Sequence, residues 1–87
     1  MKRYWFEFSF KADEKIPQGV IMGCGITAFN YEDAIKIIRE RIFLSNQIPE
    51  IKRSIEAIDV SILDQNHVIP NMRSPIERGV WFPLGYD

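Results

Sequence analysis

The chain has 87 residues, of which 46% are hydrophobic and 26% are charged, and its formal net charge is −1. Two domains of half this length would each be too short to bury a core, and the apolar content is too high for a disordered chain. Eleven basic against twelve acidic residues give no basic excess of the kind found in dedicated nucleic-acid binders or polybasic membrane anchors.

The cysteine content and the N-terminus indicate a cellular compartment. Cys24 is the single cysteine and has no internal disulfide partner. Glu7 places a charge inside what would be the apolar stretch of a signal peptide, and no apolar run approaches the roughly 18 residues that span a bilayer. We therefore expect one domain over residues 1–87, located in the reducing cytoplasm and without a membrane segment.

Two segments rich in aromatic and β-branched residues predict a β-hairpin at the start of the chain. Residues 3–11 alternate, and one face collects Tyr4, Phe6, Phe8 and Phe10. A period of two with this aromatic content is typical of a half-buried strand. Residues 12–18 indicate a loop, and residues 19–29 follow as the second strand. Gly23 and Gly25 within that strand mark a bulge or a close approach to the backbone.

Residues 31–43 have the spacing of an amphipathic helix. Asn30 is placed to cap the first turn, and Glu32 and Asp33 put negative charge at the positive end of the helix dipole. Apolar residues at offsets of three, four, seven and eleven form one stripe: Tyr31, Ala34, Ile35, Ile38 and Ile42. This stripe predicts a helix face that packs on the sheet.

The second half of the chain predicts further strands. Residues 48–56 leave an irregular segment and a short second helix both open, because Pro49 fits only the first turn of a helix. Residues 57–63 alternate and predict a third strand with Ile58, Val60 and Ile62 facing inward. Val68-Ile69 predicts a short strand, and residues 79–82 predict the last one. The predicted fold is α+β: an antiparallel sheet with one main amphipathic helix on one face, in two layers.

The chain offers few residues for catalysis or metal binding. His67 is the only histidine, and nothing in its spacing from Cys24 indicates a nucleophilic pair with oxyanion donors. One His and one Cys among scattered carboxylates also lack the ligand spacing of zinc or calcium sites. We expect no catalytic residue, metal or cofactor. A small ligand-binding protein or enzyme that uses Cys24 and His67 remains an alternative.

A second alternative is a single-stranded nucleic-acid-binding protein that uses the first strand. Lys2 and Arg3 flank Tyr4, Trp5 and Phe6, and aromatic rings on an open sheet face can stack on unpaired bases. The face beneath a helix is dry, however, which leaves only Trp5 on the opposite face. The absent basic excess also disfavours direct nucleic-acid binding.

Aromatic residues crowd the C-terminal end, where Trp81, Phe82 and Tyr86 lie close together in the sequence. One interpretation is that they close the edge of the core. The other is that part of the cluster is exposed as a protein-binding face, because Trp, Tyr and Arg are enriched among interface hot spots. The candidate contacts are then Asp64, His67, Arg73, Trp81 and Tyr86.

Three segments carry a family resemblance: Ile26–Ala34, Asn66–Asn71 and Arg78–Pro83. At these residues the chain resembles small bacterial immunity proteins of polymorphic-toxin and contact-dependent growth-inhibition systems. The resemblance implies a cytoplasmic, non-enzymatic inhibitor that binds a cognate toxin domain, often a nuclease, in a fixed ratio and blocks its active site. Many such proteins are markedly acidic, and the nearly neutral charge departs from that pattern. A homodimer through a sheet edge is compatible with any of these functions.

Overall fold

Four strands form one antiparallel sheet in the computed structural model, which describes residues 1–44 and 47–86. The strands are β1 (Lys2–Ser9), β2 (Cys24–Ala28), β3 (Glu50–Glu56) and β4 (Gly79–Phe82), and their order in the sheet is β3-β1-β2-β4. The two hairpin strands are therefore central, and each pairs with one edge strand. The predicted α+β class and the antiparallel sheet are confirmed.

A helix crosses one face of this sheet. Helix α1 (Tyr31–Ile37) continues directly into a π-helical turn (Ile38–Ile42), so the helical segment ends one residue before the predicted end. The Asn30 side chain caps it by accepting a hydrogen bond from the Asp33 N–H at 2.8 Å. The buried helix residues pack on the aromatic face of β1 in one core cluster, whose largest members are Tyr4, Phe6, Phe8, Ile37, Ile38, Ile42 and Phe43.

The third strand lies earlier in the chain than predicted. Residues 50–56, within the segment that the sequence left open, form β3. The strand predicted at residues 57–63 is wrong, because that segment is irregular and contains a 3₁₀ turn at Val60–Ile62. Of its three alternating apolar residues only Ile58 is fully buried, and Ile62 is 69% exposed.

A β-bulge interrupts the alternation of apolar and polar residues in β3, so the sequence does not identify this strand. Glu7 pairs with Arg53 whereas the next residue, Phe8, pairs with Ile51, so the register shifts across Lys52. The shift lets Ile51 pack against the helix-side core and Ile55 against the core on the opposite face. In a regular strand, residues four apart would share one face. The apolar residues of β3 therefore show no simple alternation.

Two further predicted strand segments are 3₁₀ turns. The second predicted strand, residues 19–29, begins with a 3₁₀ turn at Val20–Met22, and β2 starts only at Cys24. The short strand predicted at Val68-Ile69 is wrong, because a 3₁₀ turn forms at Ile69–Asn71. Both turns leave the sheet with fewer residues than the sequence predicted.

An irregular segment, residues 57–78, covers the sheet face opposite the helix. Its apolar side chains meet the aromatic residues that β1 and β4 direct to that face. Together they form a second core cluster of Trp5, Ile58, Leu63, Val68, Trp81 and Phe82. The predicted helix-on-sheet arrangement is confirmed, and both sheet faces are buried.

The two edge strands differ in how they are protected. The outer strand β3 exposes charged side chains, Glu50, Lys52, Arg53 and Glu56, and carries the bulge. Both features discourage pairing with a strand of another molecule, and so disfavour a homodimer through this edge. At β4, Arg73 donates from its backbone N–H to Trp81 O at 3.0 Å and from Nε to Val80 O at 2.8 Å.

An ion pair joins the irregular segment to the start of the helix. Arg78 donates to both carboxylate oxygens of Asp33, with Nε at 3.0 Å from Oδ2, and its guanidinium lies over the exposed Phe29 ring. The Phe29 N–H also donates to Asp33 Oδ2 at 3.0 Å. Hydrogen bonds from Arg78 and then from the Phe29 backbone lower the pKa of Asp33 from 3.8 to about 2.

We expect Asp33→Asn to lower the free energy of unfolding by about 1–2 kcal/mol at neutral pH, because it removes the ionic partner of Arg78. A lowered pKa in the folded state means that the contribution is complete above the ordinary value of 3.8 and is lost as the pH falls towards 2. Urea titrations of both proteins from pH 7 to pH 2 test this. The exposed hairpin-loop variant Asp13→Asn is the control, and a wild-type advantage that persists unchanged at pH 2 would contradict the assignment.

Candidate functional site

A polar turn at residues 64–67 stands at the surface of the irregular segment. Asp64 Oδ1 accepts hydrogen bonds from the N–H groups of Asn66 at 2.8 Å and His67 at 3.0 Å, and it lies 3.3 Å from His67 Nδ1. These backbone hydrogen bonds, of which the one from Asn66 is the stronger influence, lower the pKa of Asp64. Asp64 Oδ2 accepts no hydrogen bond from the described residues, so it is open to an external donor.

Side-chain hydrogen bonds fix the backbone on both sides of this turn. Gln65 Nε2 donates to Ser61 O at 2.9 Å, and Asn71 Nδ2 donates to His67 O at 2.9 Å. Asp59 Oδ1 accepts from the N–H and the hydroxyl of Ser61. Short polar side chains thus satisfy backbone groups that regular secondary structure would otherwise pair. These hydrogen bonds hold the backbone of the segment on both sides of the turn.

Exposed apolar side chains surround the polar turn. Ile21 is 72% exposed, Ile62 69% and Leu84 55%, and Met22 is also exposed. Two adjoining hollows connect them: one of about 340 Å³ is lined by Ile21, His67 and Leu84, the other of about 250 Å³ by Ile62 and Asp64, and Met22 lines both. We call this surface the turn face; its members are Ile21, Met22, Ile62, Asp64, His67 and Leu84. Contiguous exposed apolar groups rimmed by polar ones are typical of interaction sites.

Sequence reasoning missed the apolar part of the turn face. It placed Ile21 and Met22 in a strand and pointed Ile62 inward, whereas 3₁₀ turns direct all three outward. One signal could have found the first turn. That signal is the pair of glycines, Gly19 and Gly23, that flank the turn. Both have positive φ, 82° and 125°, a conformation that glycine adopts readily and that a regular strand does not use.

Four of the five predicted contact residues lie at or near the surface and divide into three groups. Asp64 and His67 meet in the turn face, whereas Trp81 and Phe82, which the hypothesis of an exposed aromatic cluster placed beside them, are buried. Tyr86 lines a further hollow beside Leu84 and donates its hydroxyl to Gln18 O at 2.8 Å, so it lies at the margin. Arg73 lies at the edge of β4 and lines neither hollow of the turn face.

Trp81 requires a correction, because its side chain is completely buried. It packs in the second core cluster 6.1 Å from the Trp5 ring, centroid to centroid, and its six-membered ring lies directly against Gly25. A Cβ at Gly25 would overlap this ring, which explains the glycine as a close-approach position. A ring in this position cannot contact a docked protein, so Trp81 is a core residue rather than a partner contact.

Cys24 and His67 do not form a nucleophilic pair. Cys24 belongs to the core cluster on the helix side of the sheet, whereas His67 is exposed on the segment that covers the other side. Burial raises the pKa of the Cys24 thiol well above its ordinary value, which keeps it protonated. The geometry that the enzymatic alternative needs is therefore not formed.

The aromatic residues of β1 are unavailable for base stacking. Tyr4, Trp5 and Phe6 are each at most 3% exposed, because the helix covers one sheet face and the irregular segment covers the other. The nucleic-acid alternative relied on an exposed Trp5, and the structure places that ring in a core.

Metal-ligand clusters and membrane-spanning helices are both absent from residues 1–44 and 47–86. No group of three or more His, Cys, Asp or Glu side chains in these ranges is arranged to hold a metal ion. Over the same ranges, the helices lack the length and apolar character that a membrane crossing requires.

Comparisons with protein-family models, with curated proteins and with solved structures gave no match for this chain. The turn face itself is therefore the starting point for a functional proposal.

We expect Gly25→Ala to destabilise the fold by about 1–3 kcal/mol, because the added methyl group overlaps the buried Trp81 ring. Chemical denaturation measures the change. In a Trp81→Phe background the distal ring atoms are missing, so the cost of Gly25→Ala should shrink in a double-mutant cycle. Strictly additive costs would contradict the contact between these two residues.

Proposed function

We propose that the chain is a non-enzymatic binding protein that docks one partner protein on the turn face. The observation that carries the proposal is the set of exposed apolar side chains, Ile21, Met22, Ile62 and Leu84, around the ordered Asp64–His67 turn. Apolar groups provide affinity when a partner covers them, and a fixed carboxylate provides orientation.

The energetics of such a contact are favourable for a domain this small. Complete burial of a Leu or Ile side chain contributes about 1.5–3 kcal/mol, and three of these residues begin more than half exposed. A stable interface buries roughly 800 Å² on each partner, about a seventh of the 5500 Å² surface of this chain. The hydrogen-bonded turn needs little ordering on binding, which preserves most of that gain.

We further propose that the partner is a toxin domain, such as a nuclease, and that the chain is its cytoplasmic immunity protein. The resemblance of Ile26–Ala34, Asn66–Asn71 and Arg78–Pro83 to such proteins supports this, and the second segment contains a turn-face residue, His67. The nearly neutral charge favours docking by shape and apolar contact over imitation of a polyanionic substrate. The inhibitor would act by covering the active site in a one-to-one complex.

The direct experiment co-expresses the chain with the C-terminal domain of the protein encoded immediately upstream of it. We expect that domain to arrest growth when alone, and the chain to bind it in a one-to-one ratio and restore growth. Ile21→Asp and Leu84→Asp should each weaken the complex at least about tenfold, because they place a charge in the apolar contact. Calorimetry on the purified pair measures the affinities.

Ile76→Asp is the matched control, because Ile76 is equally exposed but lines neither hollow of the turn face. It should bind and protect like the wild type. Absence of a complex and of growth rescue would refute the immunity function. A complex that Ile76→Asp weakens and the turn-face variants leave intact would refute the docking surface.

A further inference from the structure

The smaller hollow of the turn face is a cleft with apolar walls and charged margins. It opens between strands β1 and β3 and the irregular segment, and its volume is about 250 Å³. Trp5, Ile55 and Ile62 contribute apolar walls, while Glu7, Arg53 and Asp64 bring the charges. A long side chain that entered this cleft would contact apolar walls along its length and charged groups at its end.

Carboxylates outnumber cations in the cleft. Glu7 Oε2 accepts a hydrogen bond from Trp5 Nε1 at 3.0 Å and lies 3.8 Å from an Arg53 guanidinium nitrogen. Asp64 Oδ1 is occupied by the turn, whereas its Oδ2 is not engaged by the described residues. Arg53 is 60% exposed and only loosely paired, so it leaves part of the negative charge uncompensated.

We propose that this cleft receives an arginine or lysine side chain of the partner protein. Its aliphatic stem would pack against Ile55 and Ile62, and its cationic head would be shared by Glu7 and Asp64. A neutral apolar side chain in the same place would remove water from Glu7 and from Asp64 Oδ2 without supplying a new hydrogen bond or charge partner, which is unfavourable. An acidic side chain would meet a net negative site. The inference rests on the proposed function in taking the partner to be a protein.

A substitution at Arg53 distinguishes a specific cation site from general disruption of this surface, because it should increase the affinity. Its guanidinium lies beside Glu7 and competes with an incoming cation for that carboxylate. Removing Arg53 should therefore strengthen binding, whereas neutralising Asp64 should weaken it. Asp64→Asn keeps an oxygen that accepts the turn's backbone hydrogen bonds, so this variant retains the fold.

The test uses two blocked tripeptides, Ala-Arg-Ala and Ala-citrulline-Ala, which share shape but differ in charge. Each is titrated into the full-length chain at low salt and followed by NMR at the Trp5 indole N–H and the Asn66 and His67 amides. We expect saturable shifts with the arginine peptide and none with the citrulline peptide. Asp64→Asn should weaken binding about fivefold or more, Arg53→Gln should strengthen it, and the exposed hairpin-loop variant Asp13→Asn, outside the cleft, should leave it unchanged.

Equal binding of both peptides, no binding at millimolar concentration, or an unchanged affinity in Asp64→Asn would overturn the inference. These results are distinguishable from failure of the proposed function. If Ile21→Asp and Leu84→Asp still disrupt a partner complex while the peptides do not bind, docking on the turn face stands and only the cationic side chain is rejected. If the peptides bind but no protein partner does, the cleft chemistry stands alone.

Discussion

The attachment of residues 57–78 to the sheet is the interaction on which the rest of the structure depends. This segment has only short 3₁₀ turns. Ile58, Leu63 and Val68 hold it on the sheet by packing in one core cluster with Trp5 and Trp81, and the Arg78–Asp33 ion pair joins its end to the helix. The Trp81 ring can occupy this position because Gly25 has no side chain to overlap it. Apolar packing, which has no preferred direction, thereby fixes the position of the Asp64–His67 turn, whose own geometry is set by hydrogen bonds.

Two physical requirements together produce the turn face. Burying the second sheet face uses Ile58, Leu63 and Val68, which are five residues apart, and the 3₁₀ turn between the first two directs Ile62 outward. The backbone of these turns must still be satisfied, and Asp59, Asp64 and Asn71 do this with their side chains. Rigidity and exposed apolar surface therefore come from the same stretch of chain. A preformed surface of this kind suits an inhibitor whose complex must be tight without large rearrangement.

The sequence predicted those elements whose signals are local. Alternation in residues 3–11, the cap at Asn30 and the terminal strand at residues 79–82 match the structure closely, whereas the helix stripe included Tyr31, which is 44% exposed, and left out the buried Ile37. It failed where tertiary packing overrides local pattern. The bulge at Lys52 removes the alternation of β3. Ile58, Val60 and Ile62 alternate like a strand, although only Ile58 is fully buried, Val60 packs partly exposed against the same core and Ile62 is exposed. The polar half of the candidate site, Asp64 and His67, was found because polar residues in a turn are visible in sequence. The apolar half of the site was not predicted, because the sequence alone does not show which isoleucines remain exposed outside the core.

Because binding is proposed at one surface, the position of the partner's footprint is the most direct test. Hydrogen–deuterium exchange of the chain, alone and in complex with the proposed toxin domain, would locate that footprint through slowed amide exchange. We expect slowing at residues 20–22, 61–67 and 84–86, with little change along the outer side of helix α1 or at the free edge of β3. Slowing confined to the helix or to β3, with the turn face unaffected, would contradict it.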